Sequence, residues 1–217
     1  SKLMDLASPD NEYRKFSIVE TQRVINITRT LKKYFPSTER PMIVANVGGF
    51  TMDKLLPSSE LQSYYERFSE SLSCLDMDGV ELIPQTMAPF PWHFGGQRYH
   101  NLFLGAEEIN KFCKENKYRV CLDISHSYLA CNQFGWSFKE FIEIVAPLTA
   151  HFHISDSKGV DDEGLQIGNG DIDSINTNAT YTYLMGGDYI VSLTIIGSNG
   201  CPNTIEKSCY SGRVYSS

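Results

Sequence analysis

The chain has 217 residues, with 19 Lys and Arg against 26 Asp and Glu, a formal net charge of −7, and 41% hydrophobic and 21% charged residues. That length and composition suit a soluble globular protein of one barrel-sized domain or two small ones. The acidic balance and scattered basic residues argue against a nucleic acid partner, and without an apolar run of about 18 residues no membrane span is expected.

Residues 1–11 carry no basic-then-apolar leader pattern, which points to a cytoplasmic chain. Position 1 is Ser1 and not Met, so a trimmed chain or a fragment is expected. The cysteines Cys74, Cys113, Cys121, Cys131, Cys201 and Cys209 form no C-x-x-C pair. A zinc ribbon or thioredoxin motif is therefore not expected, and the first four read as small buried hydrophobes.

Val24, Ile27, Leu31 and Tyr34 predict a helix over 18–35 with these side chains as its apolar stripe, ended by Pro36. The apolar run 42–47, closed by Gly48 and Gly49, predicts a buried strand. A helix from Ser58 carries Leu61, Tyr64, Tyr65, Phe68, Leu72 and Leu75, and a strand follows over 80–84. After the aromatic loop 89–96, a helix over 106–116 turns Ile109, Phe112 and Cys113 inward, before a strand over 119–124. Ser137 and Glu140 form an S-x-x-E capping box opening a helix with Phe138, Phe141, Ile142 and Val145. The series ends with a strand over 150–154.

Strict helix–strand alternation predicts an α/β fold with parallel strands and helical crossovers. The continuous apolar strands fit a sheet covered on both faces. A complete eight-stranded barrel needs about 250 residues, so a partial barrel over 1–173 is expected. Alternation alone does not separate a barrel from an open doubly wound sheet, though no G-x-G-x-x-G follows any strand. From residue 174 the chain turns rich in Thr, Ser, Asn, Gly and Tyr. Tyr189, Val191, Leu193 and Ile195 alternate, Ser198-Asn199-Gly200 signals a turn, and 204–210 supplies a returning strand. A separate β-rich segment over 174–217 is expected, as a hairpin or part of a small sandwich.

Active sites of parallel barrels lie at the strand carboxyl ends. There the sequence places Asn46, Gln85, Asp123 with His126, and His151 and His153 followed by Asp156 and Lys158. The next loop carries Asp161, Asp162 and Glu163. Carboxylate and imidazole from different strand ends, as D-x-x-H and H-x-x-D-S-K, suit a divalent cation such as Zn, Mn or Co. The alternative is that Asp123 and His126 cap the following loop while His151 and His153 fill polar niches. Trp92 and His93 form either a stacking wall for a sugar or a plug in the barrel mouth.

The segments CLDISHS (121–127), HFHISDSKGVDDEGLQIGNGDID (151–173) and PFPWHFGGQRYHNLF (89–103) resemble the xylose-isomerase-like, sugar phosphate isomerase/epimerase superfamily, which includes the endonuclease IV type. The resemblance covers about residues 15–173. It implies a (β/α)8 barrel holding a divalent metal (Mn, Co, Mg or Zn) through a Glu, an Asp, a His and a final Glu. By motif, Asp123 and His153 match the ligand Asp and His, and His126 a His beside the metal or substrate. The implied reaction removes a proton next to a carbonyl through an enediolate, with His126 and Lys158 as catalytic candidates. Trp92, His93, Asn46, Asp156 and Asp162 are the candidate contacts to a small-molecule sugar substrate.

The chain departs from that pattern. Gln85 stands where the family has a ligand Glu, Asn169 replaces the Glu of I-G-E-G-D, and the first strands and the final Glu-bearing strands have no counterpart. Asp162 is kept from the endonuclease branch, but Gly164 replaces its partner His, so multi-zinc DNA repair is not expected. An impaired isomerase or epimerase is the leading expectation. The alternatives are a non-catalytic carbohydrate-binding or structural protein, or a truncated or fused product. A homo-oligomer or a partner is expected to cover the exposed sheet edges. The stretch YLMGGDYIVSLTIIGSNGC (183–201) resembles the end of a PKD-type β-sandwich. That likeness implies an extracellular setting, where Cys201 and Cys209 pair, whereas a reducing compartment keeps them as thiols.

Overall fold

A computed structural model of the chain describes residues 3–93 and 95–172, and the backbone of 187–196 and 202–211. In chain order the elements are α1 (Asn11–Leu31), a 3-10 turn (Lys32–Tyr34), β1 (Met42–Ala45), β2 (Phe50–Thr51), α2 (Ser58–Ser73) and β3 (Glu81–Pro84). Next come β4 (Trp92–His93), β5 (Gly96–Gln97), β6 (Tyr99–His100), α3 (Ala106–Asn116), β7 (Val120–Asp123), α4 (Ile124–Phe134) and α5 (Phe138–Val145). A 3-10 turn (Ala146–Leu148), β8 (Thr149–His153), β9 (Asp156–Lys158), β10 (Asp162–Leu165), β11 (Gly187–Ile196) and β12 (Pro202–Ser211) complete the series.

β1 pairs in parallel with β3, and β7 with β8. A parallel bridge between Gln85 and Cys121 joins the two pairs, with Gln85 N donating to Ala45 O (3.1 Å) and Thr86 N to Cys121 O (3.0 Å). The spatial order β1-β3-β7-β8 is the chain order. A doubly wound sheet reverses direction at a switch point. Here each crossover steps the same way, which is the winding of a partial TIM barrel. The helices cover the outside through a core that includes Phe68, Phe103 and Phe112, whose ring centroids lie 5.2–6.0 Å apart. No described helix is long and apolar enough to cross a membrane.

Several expectations are corrected. The stripe Val24, Ile27, Leu31 and Tyr34 faces solvent, at 37–67% exposure. α1 instead buries Ser17, Thr21 and Ile25. Ser17 and Thr21 lose no hydrogen bonds there, because their hydroxyls donate to Tyr13 O and Ser17 O one turn back. α4 follows β7 without a loop and has no apolar stripe to reveal it, since Ser125 and Ser127 are buried beside Leu129, Ala130 and Cys131. Two helices therefore lie between β7 and β8. Cys113, Cys121 and Cys131 are buried, but Cys74 is exposed where α2 ends.

The expected hairpin of the tail is present, in register from Gly187↔Ser211 to Ile196↔Pro202. Its turn Ser198-Asn199-Gly200, and with it Cys201 and the pairing to Cys209, lie outside the described residues.

Two buried carboxylates hold the loops near the strand ends. Asp156 accepts from the backbone N–H groups of Ser157 (2.8 Å), Gly168 (2.9 Å), Gly170 (2.9 Å) and Ile172 (3.2 Å), folding 166–172 back onto β9. Asp5 accepts through Oδ1 from Gly49 N (2.7 Å) and Ala7 N (3.0 Å), tying the segment before α1 to the loop after β1. Their electrostatics are opposite. Burial opposes ionisation of Asp156, but its four N–H donors outweigh it and lower the pKa below 3.8. At Asp5 burial prevails over its two N–H donors, Arg67 and Arg14, and lifts the pKa to about 6.

The signs follow by linkage. Stability from Asp156 is present above pH 3.8 and is lost as pH falls through its lowered value. The contribution of Asp5 is present below pH 3.8 and is lost as pH rises to about 6. In urea denaturation, Asp5→Asn is expected to stabilise the protein by about 1–3 kcal/mol at pH 7 and to flatten the pH dependence. An unchanged pH slope would contradict this. Asp156→Ala is expected to destabilise by about 3 kcal/mol or more at pH 7, leaving several buried N–H groups unpaired. Gly170→Ala is expected to do the same, since a Cβ there would collide with Asp156 Oδ1 and Ser157 O.

Candidate functional site

Parallel register brings the polar strand ends together. Asp123 ends β7 directly opposite His153, which ends β8, and His153 Nδ1 lies 3.4 Å from Asp123 Oδ2. Asp123 is also the N-cap of α4, where Oδ1 accepts from His126 N at 3.0 Å. Three residues is the reach of an N-cap side chain, so the D-x-x-H spacing follows from the cap. Gln85, just beyond β3, donates through Nε2 to Asp123 Oδ2 at 2.9 Å.

His126 meets two acceptors. Nδ1 faces Thr86 O at 2.9 Å, and Nε2 lies 3.0 Å from Glu163 Oε2. Nδ1 also lies 3.1 Å from Gln85 Nε2, so the amide, the Thr86 carbonyl and the Asp123 carboxylate crowd the same edge of the ring. Burial disfavours the charged ring, but Glu163, Asp123 and the Thr86 carbonyl outweigh it and raise its pKa.

The aromatic loop carries two further imidazoles. β4 pairs with β5, and β6 with β2, turning His93 and His100 toward each other with their Nε2 atoms 3.4 Å apart. Burial lowers the pKa of both, that of His100 to about 3, so they remain uncharged imidazoles. Among the described residues, Nδ1 of His100 is buried without a hydrogen-bond partner. Glu163 and His126 both act electrostatically on His93.

The structure therefore gathers Gln85, Asp123, His126, His153 and His93. It does not gather the other candidates. Trp92 is 62% exposed, and Asn46, Asp162 and Lys158 face solvent. Asp156, expected to touch substrate, is turned inward onto the 166–172 backbone. His151 lies edge-on to His153, with ring centroids 5.4 Å apart, and is exposed. Glu163 was not among the chosen site residues. Its signal was the acidic run 161–163, but only the β9–β10 pairing decides which of these carboxylates turns toward His126.

The cation implied by the resemblance can be tested against these donors. Among the described residues no group of three or more His, Cys, Asp and Glu side chains converges as a metal shell. Gln85 turns N–H toward Asp123 Oδ2, and an amide nitrogen is a donor, not a ligand. His153 Nδ1 approaches the same oxygen. The residues present do not fit the four-ligand cation.

No curated protein matches the chain in sequence. Among solved structures, an L-ribulose 3-epimerase is 15% identical, with 78% of this chain and 51% of that chain covered and a TM-score of 0.53. A xylose isomerase domain protein from Planctomyces limnophilus is 14% identical, with 78% and 55% covered and a TM-score of 0.51. A D-psicose 3-epimerase, crystallised in the presence of D-fructose, is 19% identical, with 71% and 50% covered and a TM-score of 0.50. These likenesses show the fold, and the chain spans about half the length of each structure. The PKD likeness of the tail finds no support in the comparisons. The family model described as xylose isomerase-like TIM barrel matches residues 1–177, and the chain belongs to that family.

Proposed function

We propose that the chain binds a sugar or sugar derivative at the carboxyl ends of its parallel strands, and that its chemistry is of the isomerase or epimerase type at a low rate. The observation that carries this reading is the convergence of Asp123, His153 and the His126–Glu163 pair at the carboxyl ends of β7 and β8. The family membership and the epimerases among its structural neighbours agree with it. The reaction is proton movement next to a carbonyl. His126 Nε2 lies 3.0 Å from one oxygen of Glu163, which positions the carboxylate as the proton acceptor. His153, with 40% of its side chain exposed and its Nδ1 facing Asp123, is left to meet a substrate oxygen through Nε2. His93 serves a hydroxyl group as donor or acceptor, with the buried His100 behind it. Gln85 cannot take up a proton, and the loss of one positioned base costs about 10²–10⁴ in rate, so turnover is weak.

The outer edges of β1 and β8 pair with no further strand among the described residues. We propose that a second copy or another partner covers them.

The test uses D-fructose and L-ribulose. Saturable binding seen by ligand-detected NMR is expected for the wild type. In D2O, slow exchange of the hydrogen next to the carbonyl is expected, and Glu163→Gln is expected to slow it at least about 100-fold. Binding without exchange would support a non-catalytic carbohydrate-binding protein. Absence of binding to either sugar would overturn the proposal.

A further inference from the structure

We propose that the Gln85 amide takes the place of a divalent cation, and that the site at Asp123 is built to work without one. The inference takes the location of the site from the proposed function and nothing of its sugar chemistry.

Asp123 is 6% exposed, and a buried carboxylate requires compensation on both oxygens. Oδ1 is met by His126 N at 3.0 Å. Oδ2 is met by Gln85 Nε2 at 2.9 Å and approached by His153 Nδ1 at 3.4 Å. A cation on Oδ2 would sit about 2.0–2.2 Å from it, inside the space of the amide hydrogen. Turning the amide over does not free that space. It would set Oε1 against Oδ2, two acceptors with no hydrogen between them. Asp123 therefore dictates the amide orientation, and the amide blocks the cation. His126 adds a second obstacle: its ring crowds the same space, with Nδ1 3.5 Å from Asp123 Oδ2 and 3.1 Å from Gln85 Nε2. The carboxylate is thus compensated by N–H groups of Gln85 and His126, with the His153 ring beside it. Exchange of the Gln85 nitrogen for oxygen removes the donor, adds a charge and leaves side-chain size unchanged. It would set two carboxylates together, an arrangement that demands a shared proton or a cation.

The experiment titrates Mn, Co and Zn into the full chain by calorimetry and follows thermal unfolding with and without EDTA. For the wild type, we expect no saturable binding at Asp123 up to about 1 mM cation, and a melting temperature that EDTA and cation leave unchanged. Gln85→Glu is expected to bind cation at least about 100-fold more tightly. It is expected to melt lower than wild type in EDTA and to recover when cation is added. If that variant folds only with cation present, the cation-dependent folding gives the same result. The tightened binding is expected to vanish in the Gln85→Glu, Asp123→Ala double variant. Micromolar binding by the wild type that is lost in Asp123→Ala or His153→Ala would overturn the proposal. So would a Gln85→Glu variant that binds cation no better than wild type. Neither readout involves a sugar, so failure of the sugar reading leaves this one standing.

Discussion

The buried carboxylate of Asp123 is where the two halves of the parallel sheet meet. Backbone pairing between β3 and β7 is limited to the bridge at Gln85 and Cys121, with its Thr86 N to Cys121 O bond. Side chains supply the rest of the seam. Gln85 donates to the Asp123 carboxylate. Thr86 Oγ1 accepts from Asp123 N at 2.9 Å and donates to Asp123 O at 3.2 Å, while Ser127 Oγ donates to Asp123 O at 2.7 Å. The same carboxylate caps α4 and faces His153 on β8. Hydrogen bonds to a charged group contribute about 1.5–3 kcal/mol each, and an unpaired buried partner costs as much. Removing the carboxylate therefore disturbs β3, β7 and α4 together, and with them the placement of every side chain gathered at the site.

This dual role explains how the site and the fold depend on each other. The cap that starts α4 is also the centre of the polar cluster. The first turn of α4 delivers His126 to Glu163, and the hairpin that carries Glu163 is held back by Gly164 N donating to Ser125 Oγ in the same turn. The aromatic loop contributes two imidazoles whose pKa values burial lowers.

Much of this was legible in the sequence where local chemistry and burial agree. α3 starts where Glu108 reaches back to the N–H groups of Leu104 and Gly105, and α5 starts where Ser137 caps Glu140. Asp123, His126 and His153 stood out because apolar strands end at them, and parallel register makes such ends converge. The rest depended on tertiary choices. Periodicity found the apolar stripe of α1, but burial went to hydroxyls that bond back to their own helix. Buried serines hid α4 for the same reason. Asp156 and Glu163 both read as loop carboxylates. Close approach of the Gly168 and Gly170 backbone drew one inward, and strand alternation in β10 aimed the other at His126.

The most direct test of this account is a double-mutant cycle on Gln85 and Asp123, with stability measured by urea denaturation at pH 7. If the amide–carboxylate contact ties β3 to β7, then Gln85→Ala, Asp123→Ala and the double variant yield a coupling of about 1–3 kcal/mol. Additive losses, with coupling near zero, would show that the two side chains act independently and would contradict the account.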